Sequence, residues 1–551
     1  MHKKNRKPLK TIFLLIAIVS ISIASYQFYN HYKYKFINKT LHLSVEKKSK
    51  GMYQISYVHL VVDEIAGQLK ATKVNLQFDS FQFKSKIKEG SAPSVVVNIR
   101  VPELDIFGVN TPRALLHKQI TARKMELDSP LIEINLSGFL KDTSEYSPGV
   151  EIYKQILGKM QLIRVDSIAL NHARLIVKDF ETGKIRFEGV DLSLLLTDLL
   201  IDSLHKDDSS RILFSQNLHL TCKEIILPSK DKRYIYLLNG LEYISGTNRF
   251  NIQKLEIQPQ LSETEFAKSF RYQKDRYHFI MENISLHHID RQALWHKRIL
   301  ADSLIIQTSS FRVYRDISYP HDSISRIGTY PQQQLMKLNL PIYIQTVYFP
   351  QSFVEYKEKN DQSDSSGKLQ FYHIDATIHH VTNISSFIRK NKICSMEFSS
   401  SLLNKDLFSG RWTMYLKDPD GKFEIKGKLG SMTASDLNPL IQPMALARME
   451  RGNIHSMNFV LEGNNTQCTG KMVFLYNDIK ISILKKNDKE NKYQKRVLAS
   501  FASNLIMKHS NPVDGDTTHV KMALQRDMQG SGFNLIWKTI FMGLKETAGI
   551  Q

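Results

Sequence analysis

The sequence predicts a mainly β protein: a long, curled antiparallel sheet or groove of repeated hairpin units with a few short helices, preceded by one N-terminal transmembrane helix. Three observations predict it. Most of the 551 residues alternate apolar and polar at period two. A twelve-residue pattern recurs along the chain. A charge-free apolar run follows a basic N-terminus. Composition agrees, since 42% hydrophobic residues with only 16 Pro and 25 Gly exclude a disordered, collagen-like or mucin-like chain.

Residues 1–10 form a basic leader carrying Lys3, Lys4, Arg6, Lys7 and Lys10, and residues 11–30 read TIFLLIAIVSISIASYQFYN. Ile12, Phe13, Leu14, Leu15, Ile16, Ile18, Val19, Ile21 and Ile23 supply the apolar surface. Twenty helical residues span about 30 Å, enough to cross a hydrocarbon core. Tyr26, Phe28, Tyr29, Tyr32 and Tyr34 follow where an interfacial aromatic belt would lie. The basic flank keeps the N-terminus cytoplasmic, so the expectation is a single-pass membrane protein with the bulk of its chain, from about residue 31, on the far side, which is periplasmic in a cell with two membranes. A cleaved signal ending at Ser22-Ile23-Ala24 is the alternative. The aromatic extension favours the anchor.

Beyond it, residues 35–160 read as a β-rich region with short helices, 161–400 as repeated β-groove units, and 401–485 as a C-terminal β region. Residues 486–496 read as a charged linker, and 497–551 as a segment ending in an amphipathic helix. Strands are expected at Thr40 to Val45, Val74 to Phe78, Val95 to Val101, Glu126 to Asn135, Lys223 to Leu227, Phe250 to Ile257 and Ile479 to Leu484. Short helices are expected around Pro112 to His117, from Pro148 to Lys159, and from Ser262, where Glu265 completes a capping box. Trp412, Met414 and Leu416 lead into Asp418-Pro419-Asp420-Gly421 and out through Phe423 and Ile425, a hairpin signal. Lys359 to Ser366 and Lys485 to Arg496 read as surface loops or linkers. Phe533, Ile536, Trp537, Ile540, Phe541 and Leu544 mark one helical stripe, suited either to lipid or partner contact or to packing across the groove's end.

IALNHARLIVKD at 168–179 aligns without gaps on VYFPQSFVEYKE at 347–358, and a third copy, LIIQTSSFRVYR, starts at Leu304. GKIRFEGVDLSL from Gly183 then aligns with GKLQFYHIDATI from Gly367. Each unit reads as strand, tight turn, strand, polar loop, strand. The spacing is uneven, unlike propeller blades or helical solenoids, so a sheet extended by hairpins fits best. Such a sheet must hide an apolar face. Its candidate residues are Ile168, Leu170, Leu175, Val177, Leu304, Ile306, Phe311, Val313, Val347, Phe349, Val354 and Tyr356.

Signatures of chemistry are missing: no GxSxG, HExxH, P-loop, GxGxxG or EF-hand pattern occurs. No cofactor is expected. His373, Asp375, His379 and His380, with His287 and His288 elsewhere, come nearest to a metal cluster, but the repeat explains Asp375 through Asp191 and has Gly189 where His373 stands. Cys222, Cys394 and Cys468 are far apart and odd in number, which points to buried, idle thiols. Sequons at Asn38, Asn135, Asn283, Asn383 and Asn464 match chance for this composition. The net charge of +21 falls to 21 − 5 = +16 without the leader and is dispersed, so no nucleic-acid partner is expected.

The anchor, the repeated unit IRVDSIALNHARLIVKD with GKIRFEGVDLSL, and the segment 435–486 together resemble AsmA-like proteins. In that last segment Asp436-Leu437-Asn438-Pro439, Gly452, Phe459, Gly470 and Tyr476-Asn477-Asp478-Ile479-Lys480 carry the likeness, and the ending FNLIWKTIFMGLKETAGI is similar too. The resemblance implies an envelope protein, anchored in the inner membrane and related to repeating β-groove lipid-transfer proteins. Its concave face would hold phospholipid acyl chains and pass lipid between envelope membranes, in support of outer-membrane homeostasis. Outer-membrane or other envelope proteins would be its partners besides the lipids and the inner membrane. A structural or regulatory scaffold for outer-membrane assembly is the alternative, and a membrane-anchored enzyme ranks third for want of a polar pocket.

Overall fold

The computed structural model describes residues 51–63, 66–93, 95–110, 119–137, 161–205, 210–360, 366–487, 492–495 and 507–549, besides Glu46, Ser49 and Asp208. The anchor at 11–30, the strand expected at Thr40 to Val45, and the helices expected at Pro112 to His117 and Pro148 to Lys159 lie outside the described residues. Among the described residues no helix is long and apolar enough to cross a membrane. Among the described residues strand accounts for 60% and helix for 13%. Two units are distinguished, one of residues up to Gln253 with Asp290–His296, the other of Lys254–Ile289 and Lys297 onward.

The first unit holds β1 (Tyr53–Ser56), β2 (His59–Asp63), β3 (Gln68–Phe78), α1 (Ser80–Lys88), β4 (Val95–Phe107), β5 (Gln119–Asp128) and β6 (Leu131–Leu136). It continues with β7 (Leu162–Asp179), β8 (Ile185–Asp202), β9 (Ser215–Pro228), β10 (Tyr234–Ile244) and the start of β11 (Arg249–Pro259). Strands β1 and β2 both lie antiparallel on β3, β3 on β4, and β4 on both β5 and β6. The stretch Glu126 to Asn135, expected as one strand, is interrupted at Ser129 (φ 47°) and Pro130, which has no N–H for a ladder. Both halves keep the same neighbours. Asp79 caps α1 by accepting from Phe81 and Gln82 N–H, and Phe83 then buries its ring against Phe78 and Phe180.

The second unit contains α2 (Glu263–Lys268), β12 (Asp275–His287), β13 (Ile299–Asp316), α4 (Pro331–Met336), β14 (Ile342–Lys359) and β15 (Gly367–Thr382), with α3 (Arg291–Trp295) falling in the first unit. Then come α5 (Ser385–Lys390), β16 (Ile393–Leu402), β17 (Asp406–Tyr415), β18 (Phe423–Leu429), β19 (Met432–Thr433), α6 (Asn438–Ala445), β20 (Ala447–Gly463), β21 (Gln467–Asn487), β22 (Lys492–Lys495), β23 (His519–Gln525) and α7 (Gly532–Thr547). Hydrogen bonding runs β12–β13–β14–β15–β16–β17–β18–β20–β21–β23. The capping box at Ser262 forms as expected, and so does the hairpin at Asp418 to Gly421, where Gly421 takes φ 65°.

Two expectations are corrected. The sheet is mixed rather than antiparallel, because β5 and β6 pair parallel to β7, and β13 pairs parallel to β14. A parallel pair needs a crossover connection, which hairpin logic alone does not supply. The charged stretch expected as a linker instead continues β21 to Asn487 and returns as β22, pairing Leu484 with Lys495 and Asn487 with Lys492. Backbone pairing at a sheet end needs no apolar side chains, so composition hid it.

The β13–β14 crossover is held by ion pairs. Asp322, largely buried, accepts from Lys274 at 2.6 Å and from Arg326 at 3.0 Å, and the Lys274 ammonium holds its carboxyl below the ordinary value. A depressed carboxyl contributes stability that is present above its unfolded pKa of about 3.9 and lost as pH falls through the folded value. Asp322→Asn is therefore expected to lower the urea midpoint at pH 7 and to flatten its decline below about pH 4. Parallel midpoint-against-pH curves for the two proteins would contradict this.

Candidate functional site

The twelve repeat positions sit on β7 in the first unit and on β13 and β14 in the second, and the register shows how they share a face within each unit. Leu304 pairs with Val347, Phe311 with Val354, and Val313 with Tyr356, so two copies of the repeat lie side by side, parallel and in phase. Met125 pairs with Ile168, Leu127 with Leu170, Ile132 with Leu175 and Ile134 with Val177 in the same manner. The segment 125–136, MELDSPLIEINL, is thus a further copy that the sequence reading missed. Its spacing to the next copy equals that of the later pair (168 − 125 = 347 − 304 = 43), and the two pairs are 304 − 125 = 179 residues apart. Pro130 and the strand break disguised it.

The expected tight turn inside each copy is not a turn. β7 runs unbroken from Leu162 to Asp179, with His172 at φ 52° in its middle and register slips on either side of Ala173. One extra residue in a strand reverses its alternation, so Leu170 and Leu175, five apart, face the same way. The partner strand compensates at Asp191 (φ 55°), whose carboxylate meets His172 Nδ1 at 2.8 Å. In the second unit β14 slips between Phe349 and Ser352, and β15 between Ile374 and Phe371. Asn283 (φ 52°) and His373 (φ 50°) occupy the left-handed positions there, and Asn, Asp and His are the non-glycine residues that tolerate them best. His373 is therefore spent on backbone geometry. Asp375 accepts from the Tyr348 hydroxyl at 3.1 Å and His380 meets the Asn391 carbonyl at 2.9 Å.

With the slips included, each unit carries a laterally continuous apolar face. In the first, Leu170, Leu194, Leu220 and Tyr243 form one cross-strand row, and Leu192, Cys222 and Leu241 lie on the next. In the second, Phe279, Phe311, Val354 and Phe371 stand directly opposite one another across four strands, beside Tyr277, Val313, Tyr356 and Leu369. Phe279 and Phe311 meet edge to face at 5.3 Å, and Phe311 reaches Phe349 at 6.3 Å. Of the twelve candidates only Ile306 and Val347 are buried; the other ten are half-buried. These are side chains with neighbours along the sheet and incomplete cover above it.

Neither any protein-family model nor any curated protein matches the chain.

The opposite face of β12–β15 is polar. A hollow of about 740 Å³ there is lined by Arg276, His278, Arg312, Glu355, Lys357 and Gln370 among others, several of them partnered: Lys357 with Glu263 at 2.7 Å, His278 with Glu256 at 3.0 Å, Gln370 with Glu355 at 2.6 Å, and Arg276 with the Leu261 carbonyl at 2.9 Å. At one end the apolar face is edged by Arg315, which donates to both oxygens of Asp275 at 2.6 and 2.8 Å. Burial is the largest influence and opposes the guanidinium charge, but the hydrogen bonds to Asp275 together with the negative charge of Asp275 and Glu358 outweigh it and the pKa rises. Burial raises the pKa of the Tyr356 phenol, whose hydroxyl donates to Glu358.

Toward the C-terminus the same face is covered. Phe423, Ile425, Phe459, Leu461, Met472 and Met522 form a core roofed by α7 and Leu440 of α6. The stripe expected on α7 is rotated: Phe533 and Phe541 are exposed, Trp537, Ile540 and Leu544 half-buried, and only Ile536 buried. Gly532, Leu535, Thr539, Gly543 and Thr547 face inward instead. Close approach explains it, because a Cβ on Gly543 would lie 2.4 Å from Met522 Sδ and one on Gly532 2.3 Å from the Tyr330 ring. Periodicity of apolar residues finds the widest greasy face, and this helix docks by its small one. The three cysteines are free and buried, with Cys394 and Cys468 thiols pushed up to about 11 by desolvation. No group of metal-ligating residues occurs among the described residues.

Proposed function

We propose that this chain is a non-enzymatic envelope protein that holds phospholipid acyl chains along its apolar sheet face and moves them between membranes, anchored to the inner membrane by its N-terminal segment. The row Phe279, Phe311, Val354 and Phe371 carries the reading. Half-buried aromatic and branched side chains in unbroken lateral contact offer hydrocarbon a surface that water does not favour. Each methylene that leaves water gains about 0.8 kcal/mol, so a two-tailed lipid needs such cover to travel. The resemblance to AsmA-like proteins supports it.

A photo-crosslinking side chain at Val354 or Leu175 of the full chain, irradiated in native membranes, is expected to yield lipid adducts identifiable by mass spectrometry. The same probe at Lys357, on the polar face, should yield none. A second reading, a scaffold without cargo, is favoured by the closed C-terminal core under α7. Equal or absent adducts at both positions would leave that reading standing.

A further inference from the structure

On the β17–β23 part of the second unit, the face turned away from the core carries a ladder of cations. Arg411 pairs with Lys426, Lys426 with Val460, Val460 with Lys471 and Lys471 with Lys521, so four cations and one valine stand in a single row across five strands. The neighbouring row runs Ser409, Lys428, Asn458, Val473 and His519 in the same register. Between them lies a shallow hollow of about 730 Å³. Arg411 reaches Glu397 at 3.1 Å and Lys426 reaches Glu424 at 2.9 Å. Lys428, Lys471 and Lys521, all exposed, have no carboxylate within ion-pair distance among the described residues. Glu424 and Glu462, directly opposite each other, edge the patch on the next row.

Like charges placed directly across a ladder destabilise a sheet. Arg411 against Lys426, and Lys471 against Lys521, are such pairs. In the first pair each cation has its own carboxylate, whereas Lys471 and Lys521 have none among the described residues. We propose that this outer face docks on an anionic phospholipid surface. Five strands at about 4.8 Å spacing extend the row over roughly 19 Å, which is wider than one phosphate group and suited to several headgroups. Val460 and Val473, with the lysine stems between them, give the hollow an apolar floor that tolerates the membrane interface. The two rows hold no Phe, Tyr or Trp on which a nucleobase would stack, His519 at one end being their single aromatic ring. This face lies opposite the apolar one, so either assignment can hold while the other fails.

Amine acetylation of the full chain, read by mass spectrometry, tests it with vesicles of phosphatidylcholine alone and of phosphatidylcholine with phosphatidylglycerol. Labelling of Lys428, Lys471 and Lys521 is expected to slow about tenfold on the anionic vesicles, with exposed Lys268 of α2 as reference and the protection lost at high salt. The variant Lys428→Glu, Lys471→Glu, Lys521→Glu should lose protection at Arg411's neighbour Lys426, and should unfold at a urea concentration no lower than the parent because repulsion is relieved. Equal labelling on both vesicle types overturns the proposal, and so does equal protection by duplex DNA. The wild-type footprint decides the matter even should the variant misfold.

Discussion

Full-length protein carrying Phe311→Ser and Val354→Ser is expected to retain about a hundredfold less phospholipid than the parent after gentle extraction, measured by mass spectrometry of co-purified lipid. The two side chains are directly paired and sit in the middle of the apolar row. Losing their contact with hydrocarbon removes roughly 2–3 kcal/mol of binding, at about 1.4 kcal/mol per tenfold. Folding should survive, because hydroxyls already belong to this face: Ser309 and Ser352, paired in the same two strands, are buried and hydrogen-bonded to each other. Phe311→Trp, which keeps the surface apolar, should retain the lipid. Unchanged lipid content in the double serine variant, with circular dichroism unaltered, would end the cargo reading.

Phe423→Ala is expected to destabilise the second unit by about 3–5 kcal/mol. The ring is fully buried and lies 5.1 Å from the Tyr330 ring and 6.2 Å from that of Trp412. Its cross-strand neighbour is Gly463, where an added Cβ would come within 2.2 Å of the ring, so there is no side chain on that side to collapse into the void. Tyr330 is fixed too, by its hydroxyl bond to the Asn464 carbonyl and by Arg526 over its face at 4.7 Å. The cost therefore belongs near the top of the range. Urea unfolding measures it, and hydrogen exchange across residues 532–547 should rise with it as α7 loses its seat. A loss below about 1 kcal/mol would mean that the core repacks and that α7 does not depend on it.

Strand content was legible because period two needs only neighbouring residues: Val74 to Phe78, Val95 to Val101 and Phe250 to Ile257 all lie in strands. The six-residue helices α4 and α5 were not, since fewer than two turns cannot display a period of 3.6. The tight turn expected inside each unit is a bulge at His172 in the first, because a left-handed residue serves turns and bulges equally. Only the partner strand, continuing past Ala173 with compensating slips, distinguishes them.

Local pattern by itself determined that this is a β protein, that repeats such as 304–315 and 347–358 are equivalent, and which residues of each copy are apolar. Those are properties of short stretches, set by side-chain alternation and by turn and cap chemistry. Tertiary structure decided that equivalent copies pair parallel, that Leu170 and Leu175 share a face, and that α7 docks through Gly532 and Gly543 rather than through its aromatic side chains. Such outcomes depend on what stands opposite in space, and a backbone that approaches within van der Waals contact selects small residues that hydropathy does not mark.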